Sequence, residues 1–204
     1  MRTHRLISGW LLLTAAMGVA GPCSAQLLMV TKQQFKIMNQ RAPDFTGTGS
    51  DGEQIRLGDF AGKIVVLEWA NADCPDVRKW YAGGAMQRLQ SESAAKGVVW
   101  LTVISPVRDA NSQAVATQPD GNAAHVLLDP TGTIGRLYGA IRVPYIAVVR
   151  PDGTVAYTGA IEGSLDRRSD VQPYARQAIN AVAAGRSPLD SMTQAYGCRI
   201  RISP

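Results

Sequence analysis

Ile64-Val65-Val66-Leu67-Glu68-Trp69-Ala70-Asn71-Ala72-Asp73-Cys74-Pro75 is the stretch on which the fold turns. Its first seven residues are apolar except for Glu68, the pattern of a strand buried on both faces. Pro75 suits a first helical turn, and Val77, Trp80, Tyr81, Met86, Leu89 and Gln90 follow at three-to-four spacing towards Lys96. Gly83-Gly84 interrupts that run and Gly97 ends it. Val98 to Ile104 then reads as a second buried strand. Strand, helix and strand of these lengths make a βαβ unit with parallel strands. Cys74 therefore stands at a strand-to-helix junction, where backbone N–H groups and the helix dipole favour a thiolate. The alternative is a small buried hydrophobe.

On the N-terminal side, Phe45–Thr48 and Gln54–Leu57 flank the turn cluster Gly49-Ser50-Asp51-Gly52, which predicts a hairpin. Downstream, residues 105–124 are polar and aperiodic, as in a loop. Val126–Asp129 predicts a short strand, and Thr131–Tyr138 a short helix closed by Gly139. Pro144–Val149 and Thr154–Thr158 flank Arg150-Pro151-Asp152-Gly153, a second hairpin. Asp170–Ala184 is amphipathic, with Val171, Ala175, Ala178, Ile179 and Val182 on one face.

The ends frame this domain. Arg2 and Arg5, the apolar run Leu6–Ala20 and the small residues ending at Ala25 read as a signal peptide over residues 1–25, with a periplasmic or secreted product. The apolar run falls short of the ~20 residues that span a bilayer, so no stable membrane insertion is expected after cleavage. Cys23 follows Pro22, a poor context for lipid attachment. Residues 26–41 read as a polar, flexible lead-in, 42–184 as the domain, and 185–204 as a tail bearing Tyr196-Gly197-Cys198. The chain of 204 residues carries a net charge of +5; beyond Ala25, 19 basic residues face 16 acids, leaving +3. The basic residues are scattered, which argues against nucleic acid as a partner.

Downstream of residue 25, Cys74 and Cys198 are the cysteines. In an oxidising compartment this pair is bridged, reactive, or both. A structural bridge closing so long a loop contributes about 4–5 kcal/mol in the chain-entropy model. The tail after the last helix is long enough to bring Cys198 to Cys74 at about 3.3 Å per extended residue.

The order βαβ, proline-led hairpin and final helix resembles the thioredoxin fold: α/β, with a central mixed sheet flanked by helices and an N-terminal hairpin extension. Tyr138-Gly139-Ala140-Ile141-Arg142-Val143-Pro144 is similar to that fold's approach to its cis-proline, and Ala42-Pro43-Asp44-Phe45 to the opening of its redoxin, or peroxiredoxin-like AhpC/TSA, branch. The resemblance implies a thiol oxidoreductase without a prosthetic group. Cys74 would attack a peroxide or protein disulfide, Cys198 would resolve the product, and an external thiol would restore both. It also implies a substrate backbone paired with Val143 beside Pro144.

Departures from the family pattern matter equally. Cys74-Pro75-Asp76-Val77 has valine where thioredoxins carry their second cysteine, so a relay within the motif is excluded. Leu67 and Asn71 stand at the proline and threonine positions of the peroxiredoxin motif. Arg78 occupies the second-cysteine position of the fold's copper chaperones, and His125 alone does not replace it, so no metal is expected there.

Three further side chains are candidates. Arg78, one helical turn beyond Cys74, favours the thiolate, whereas Asp73 and Asp76 oppose it. Asn71 is a donor to the sulfur or a peroxide oxygen, or simply a turn former. Glu68 resembles the buried proton acceptor behind the thioredoxin thiol; the alternatives are an acid on a strand near the sheet edge, or one paired with a basic residue such as Arg56 or Lys63. Two other functions compete: a one-thiol disulfide reductase or isomerase, and a non-catalytic binding module stapled by Cys74–Cys198. Oligomeric state is open at this stage.

Overall fold

The computed structural model describes residues 32–108, 123–163 and 172–203. The stretch read as a signal peptide, most of the stretch read as a loop over 105–124, and residues 164–171, including Val171, lie outside them.

From residue 32 the lead-in is a helical run, 32–37 (α1), with Ile37 buried. Asn39 N then donates to the Val155 carbonyl at 3.0 Å. The first hairpin is β1 (Thr46–Gly49) with β2 (Gln54–Arg56), paired antiparallel in the register Thr46↔Arg56. The deciding stretch folds as β3 (Val65–Ala70), every residue of which is buried, followed by α2 (Pro75–Ala82). Gly84, at φ 67, breaks the helical run and α3 (Ala85–Ala94) continues it. A left-handed residue between two helices is a place where glycine avoids the Cβ penalty.

Next come β4 (Val99–Ile104), β5 (His125–Leu128) and α4 (Thr133–Tyr138). They are followed by β6 (Arg142–Val143), β7 (Tyr145–Val149), β8 (Val155–Gly159) and α5 (Tyr174–Ala183). The main sheet has the order β2-β1-β5-β4-β3-β7-β8. β3, β4 and β5 are mutually parallel; β7 runs antiparallel to β3, and β1 to β5. The sheet is mixed, as expected, and β3 lies inside it between β4 and β7.

Alternation along β3 sends Glu68 to one face and Trp69 to the other. Tyr81 of α2 and Gln90 of α3 meet Glu68, while Trp69 packs on Tyr138 and Tyr145 with ring centroids 5.3 and 5.6 Å apart. α5 lies on the Glu68 side, where Arg176 pairs with Glu92 and Asn180 accepts from Lys96.

The tail is built into the molecule. Thr193 N donates to the Thr158 carbonyl at the β8 edge, at 3.0 Å. Farther on, β9 (Cys198–Arg199) pairs antiparallel with β6.

Candidate redox site

The site forms where β3 runs out. Cys74 is the N-cap of α2, with extended backbone (φ −82, ψ 123), and Pro75 takes the first helical position. The turn between strand and helix is fastened from both ends. Asn71 Oδ1 accepts from Asp73 N at 2.8 Å, and Asn71 Nδ2 donates to the Ser105 carbonyl at 2.9 Å. Arg78 Nη1 donates to the carbonyls of Ala72 and Asp73 at 3.1 and 3.0 Å. Asn71 and Arg78 thus hold the backbone that presents Cys74.

Opposite lies β6. The Val143–Pro144 peptide is cis, and the Val143 carbonyl oxygen is 3.6 Å from Cys74 Sγ. The sulfur carries no proton in the form described, because Cys74 is disulfide-bonded to Cys198 with Cα atoms 5.8 Å apart. The residue paired with Val143 in the β6–β9 ladder is Cys198 itself. The chain's own tail therefore occupies the position expected for a substrate backbone.

This closure decides the access of the two cysteines. Cys74 is 0 % exposed, whereas Cys198 is half-buried. In the oxidised site Cys74 is sealed from solvent, and Cys198, on β9, is the more accessible cysteine of the pair. Gly197 permits this approach. Its φ is +88, and a Cβ there would run into the Val143 carbonyl. Arg142 Nη1 donates to the Gly197 carbonyl at 2.5 Å, and Trp80 Nε1 to Tyr196 Oη at 3.4 Å. Burial raises the Tyr196 pKa.

Glu68 pairs with neither Arg56 nor Lys63. It is fully buried and accepts from Tyr81 Oη and Trp100 Nε1, both at 2.8 Å, and from Gln90 Nε2 and Thr102 Oγ1, both at 3.3 Å. Desolvation raises its pKa against the opposing pull of these donors. Tyr81 thereby ties α2 to the floor of the sheet. The cage is formed by residues on three elements distant in sequence, and nothing in the spacing signals it. The tail gave a weak signal in Gly197, directly before the second cysteine.

Asp76, in the first turn of α2, also belongs to the site. One of its carboxylate oxygens and the two sulfurs all lie within 4.8 Å of one another.

A parallel β3-α2-β4 unit, a cysteine at the helix start and a cis-proline strand facing it define a thioredoxin-fold protein of the redoxin branch. The AhpC/TSA family profile matches residues 38–158, and the chain belongs to that family. It is similar to the thiol-disulfide oxidoreductase ResA of Bacillus thuringiensis subsp. konkukian (strain 97-27): 27% identical over 155 residues, 76% of this chain and 87% of that protein. A hypothetical protein of Sinorhizobium meliloti 1021 shares the fold with a TM-score of 0.67 at 19% identity, over 81% of this chain and 94% of that one. An uncharacterized conserved protein of Geobacillus kaustophilus does so with a TM-score of 0.68 at 24% identity, over 82% and 93%.

Proposed function

We propose that this protein is an exported thiol–disulfide oxidoreductase whose Cys74–Cys198 bond opens and closes in each cycle. One observation carries the reading. The bond lies at the start of α2 against a cis X–Pro peptide, with Cys74 buried and Cys198 within reach of solvent. Similarity to a thiol-disulfide oxidoreductase supports it.

Exposure sets the order of events. An external thiolate attacks Cys198 Sγ, the disulfide breaks, and the electron pair leaves on Cys74. The first-turn N–H groups of α2 favour that thiolate, which makes Cys74 the better leaving group. A second thiolate attacks the external sulfur of the mixed disulfide, releasing oxidised reductant and Cys198 thiolate. With a protein disulfide as oxidant, the reduced Cys198 attacks it, and Cys74 then attacks Cys198 Sγ and frees the substrate dithiol. Two electrons pass in either direction. The sequence reading had Cys74 attacking first; the burial of Cys74 favours the reverse order for disulfide exchange.

Peroxide reduction by Cys74 has less behind it. Asn71, the candidate donor to a peroxide oxygen, has its amide engaged in the turn, as its reading as a turn former implies. Export rests on the signal features of residues 1–25. Among the described residues no helix is long and apolar enough to cross a membrane.

The test is equilibration of the protein in thiol redox buffers, followed by turnover of insulin disulfides. A potential above about −300 mV, with turnover lost in Cys198→Ser, upholds a cycling pair. A lower potential without turnover makes the bond a staple of a binding module. Turnover that survives Cys198→Ser identifies a one-thiol reductase.

A further inference from the structure

Reduction turns the same three side chains into a different chemical object. We infer that Cys74, Asp76 and Cys198 form, in the reduced protein, a site for a thiophilic divalent cation of the zinc class, closed to the ion whenever the disulfide is present.

The first argument is the donor set. Two sulfurs and a carboxylate oxygen lie within 4.8 Å of one another. Tetrahedral zinc, with Zn–S of about 2.3 Å and Zn–O of about 2.1 Å, needs donors some 3.5–3.8 Å apart. The sulfurs must separate from bonding distance and the carboxylate must close in slightly, movements within side-chain reach. The motif offers one thiolate, Cys74, and one carboxylate, Asp76; the tail supplies the second thiolate that the motif lacks. Three protein donors leave a fourth tetrahedral position for water.

The second argument is that the tail does not depend on the disulfide for its place. Ile200 N donates to the Ile141 carbonyl at 2.8 Å, Arg108 N to Arg199 O at 2.9 Å and Arg201 N to Pro106 O at 2.7 Å. Ser203 N reaches Thr131 O at 2.9 Å, and the Ile200 side chain is 3 % exposed. Cys198 therefore stays beside Cys74 after reduction, and the ion meets a pre-arranged pair.

The gating follows from bonding. In the disulfide each sulfur is neutral and covalently bonded to its partner, so neither is a thiolate donor. Two electrons from an external dithiol give two thiols, and cation binding releases their two protons to solvent. Oxidation by a disulfide substrate expels the ion as the S–S bond re-forms.

Cobalt(II) serves as the probe. The full-length protein, reduced and held without oxygen, is titrated with Co2+ alone. Expected is a 1:1 rise of thiolate-to-cobalt charge-transfer absorption with intense tetrahedral d–d bands, bleached by Zn2+ and absent from the oxidised protein. Asp76→Asn weakens binding by at least the roughly tenfold that loss of even an outer-sphere partner costs, and Cys198→Ser abolishes the charge-transfer pattern of two thiolates. Circular dichroism of both variants confirms that they fold. No charge-transfer band at equimolar cobalt in the wild type overturns the inference, as does Asp76→Asn binding as tightly as wild type. The titration uses chemically reduced protein, so it succeeds or fails independently of whether the bond cycles in turnover.

Discussion

Val143 and Cys198 stand directly opposite each other in the β6–β9 ladder, next to the cis peptide that leads into β7. A redoxin whose motif lacks a second cysteine thus acquires one from its own C-terminus, held by strand pairing. The ladder register and the disulfide agree: both place Cys198 beside the start of α2. The same contact fills the β6 edge that the family resemblance assigns to a substrate backbone, so in the proposed cycle a protein substrate is met by Cys198 rather than by that edge.

Gly197 is the hinge of that arrangement. Its positive φ and the adjacent Val143 carbonyl leave no room for a Cβ. Gly197→Ala is expected to lose about 1–3 kcal/mol of stability through the unfavourable backbone conformation. It should also slow re-formation of the disulfide after reduction. Denaturant unfolding and the time course of free-thiol loss check both.

Disulfide removal has a calculable ceiling. The bond links residues 124 apart in sequence, and closing a loop of that length restricts the unfolded chain by about 4–5 kcal/mol. Cys198→Ser, or wild type in reductant, should unfold at lower urea by up to that amount, with β9 still protected from amide hydrogen exchange in the folded state. Loss of protection throughout residues 198–203 on reduction would mean that the bond, not the strand, holds the tail.

The order of attack is open to direct mapping. Oxidised protein exposed briefly to glutathione, quenched in acid and digested, should carry glutathione on Cys198. An adduct on Cys74 would require the buried sulfur to be the target and would reverse the proposed sequence of steps.

How much of this was legible beforehand varies with the range of the interaction. Ile64–Ala70, Val98–Ile104 and the Pro144–Thr158 hairpin carry local patterns of apolar runs and turn residues, and each element formed within a residue or two of its expected bounds. The break at Gly83-Gly84 was legible for the same local reason. The tail was not: β9 is two residues long, and a partner 55 positions away leaves no periodicity to read. Glu68 was noticed as a carboxylate in an apolar strand. What surrounds it depends on Tyr81, Gln90, Trp100 and Thr102 meeting across two helices and a strand, which only the packed fold determines.

Glu68 gives the last prediction, and its sign can be worked out. Burial raises the folded-state pKa above the ordinary value of 4.5. Below pH 4.5 both states hold the proton and Glu68 adds no pH dependence. Between 4.5 and the raised folded value the native protein keeps a proton that the unfolded chain has released, so stability falls as pH rises through this window. Above it the loss is complete and the slope vanishes. Glu68→Gln, which keeps the shape and carries no charge, should flatten that part of the stability profile and be at least as stable as wild type above the window. Its amide can donate to Tyr81 Oη while its oxygen still accepts from Trp100 Nε1. Tyr81→Phe should act in the opposite sense. Loss of the donor to Oε1 costs about 1.5–3 kcal/mol when Glu68 is charged, raises its pKa further and widens the window. Urea unfolding of the three proteins between pH 4 and 9 measures each slope, and a wild-type profile as flat as that of Glu68→Gln would mean that the four donors fully offset the burial.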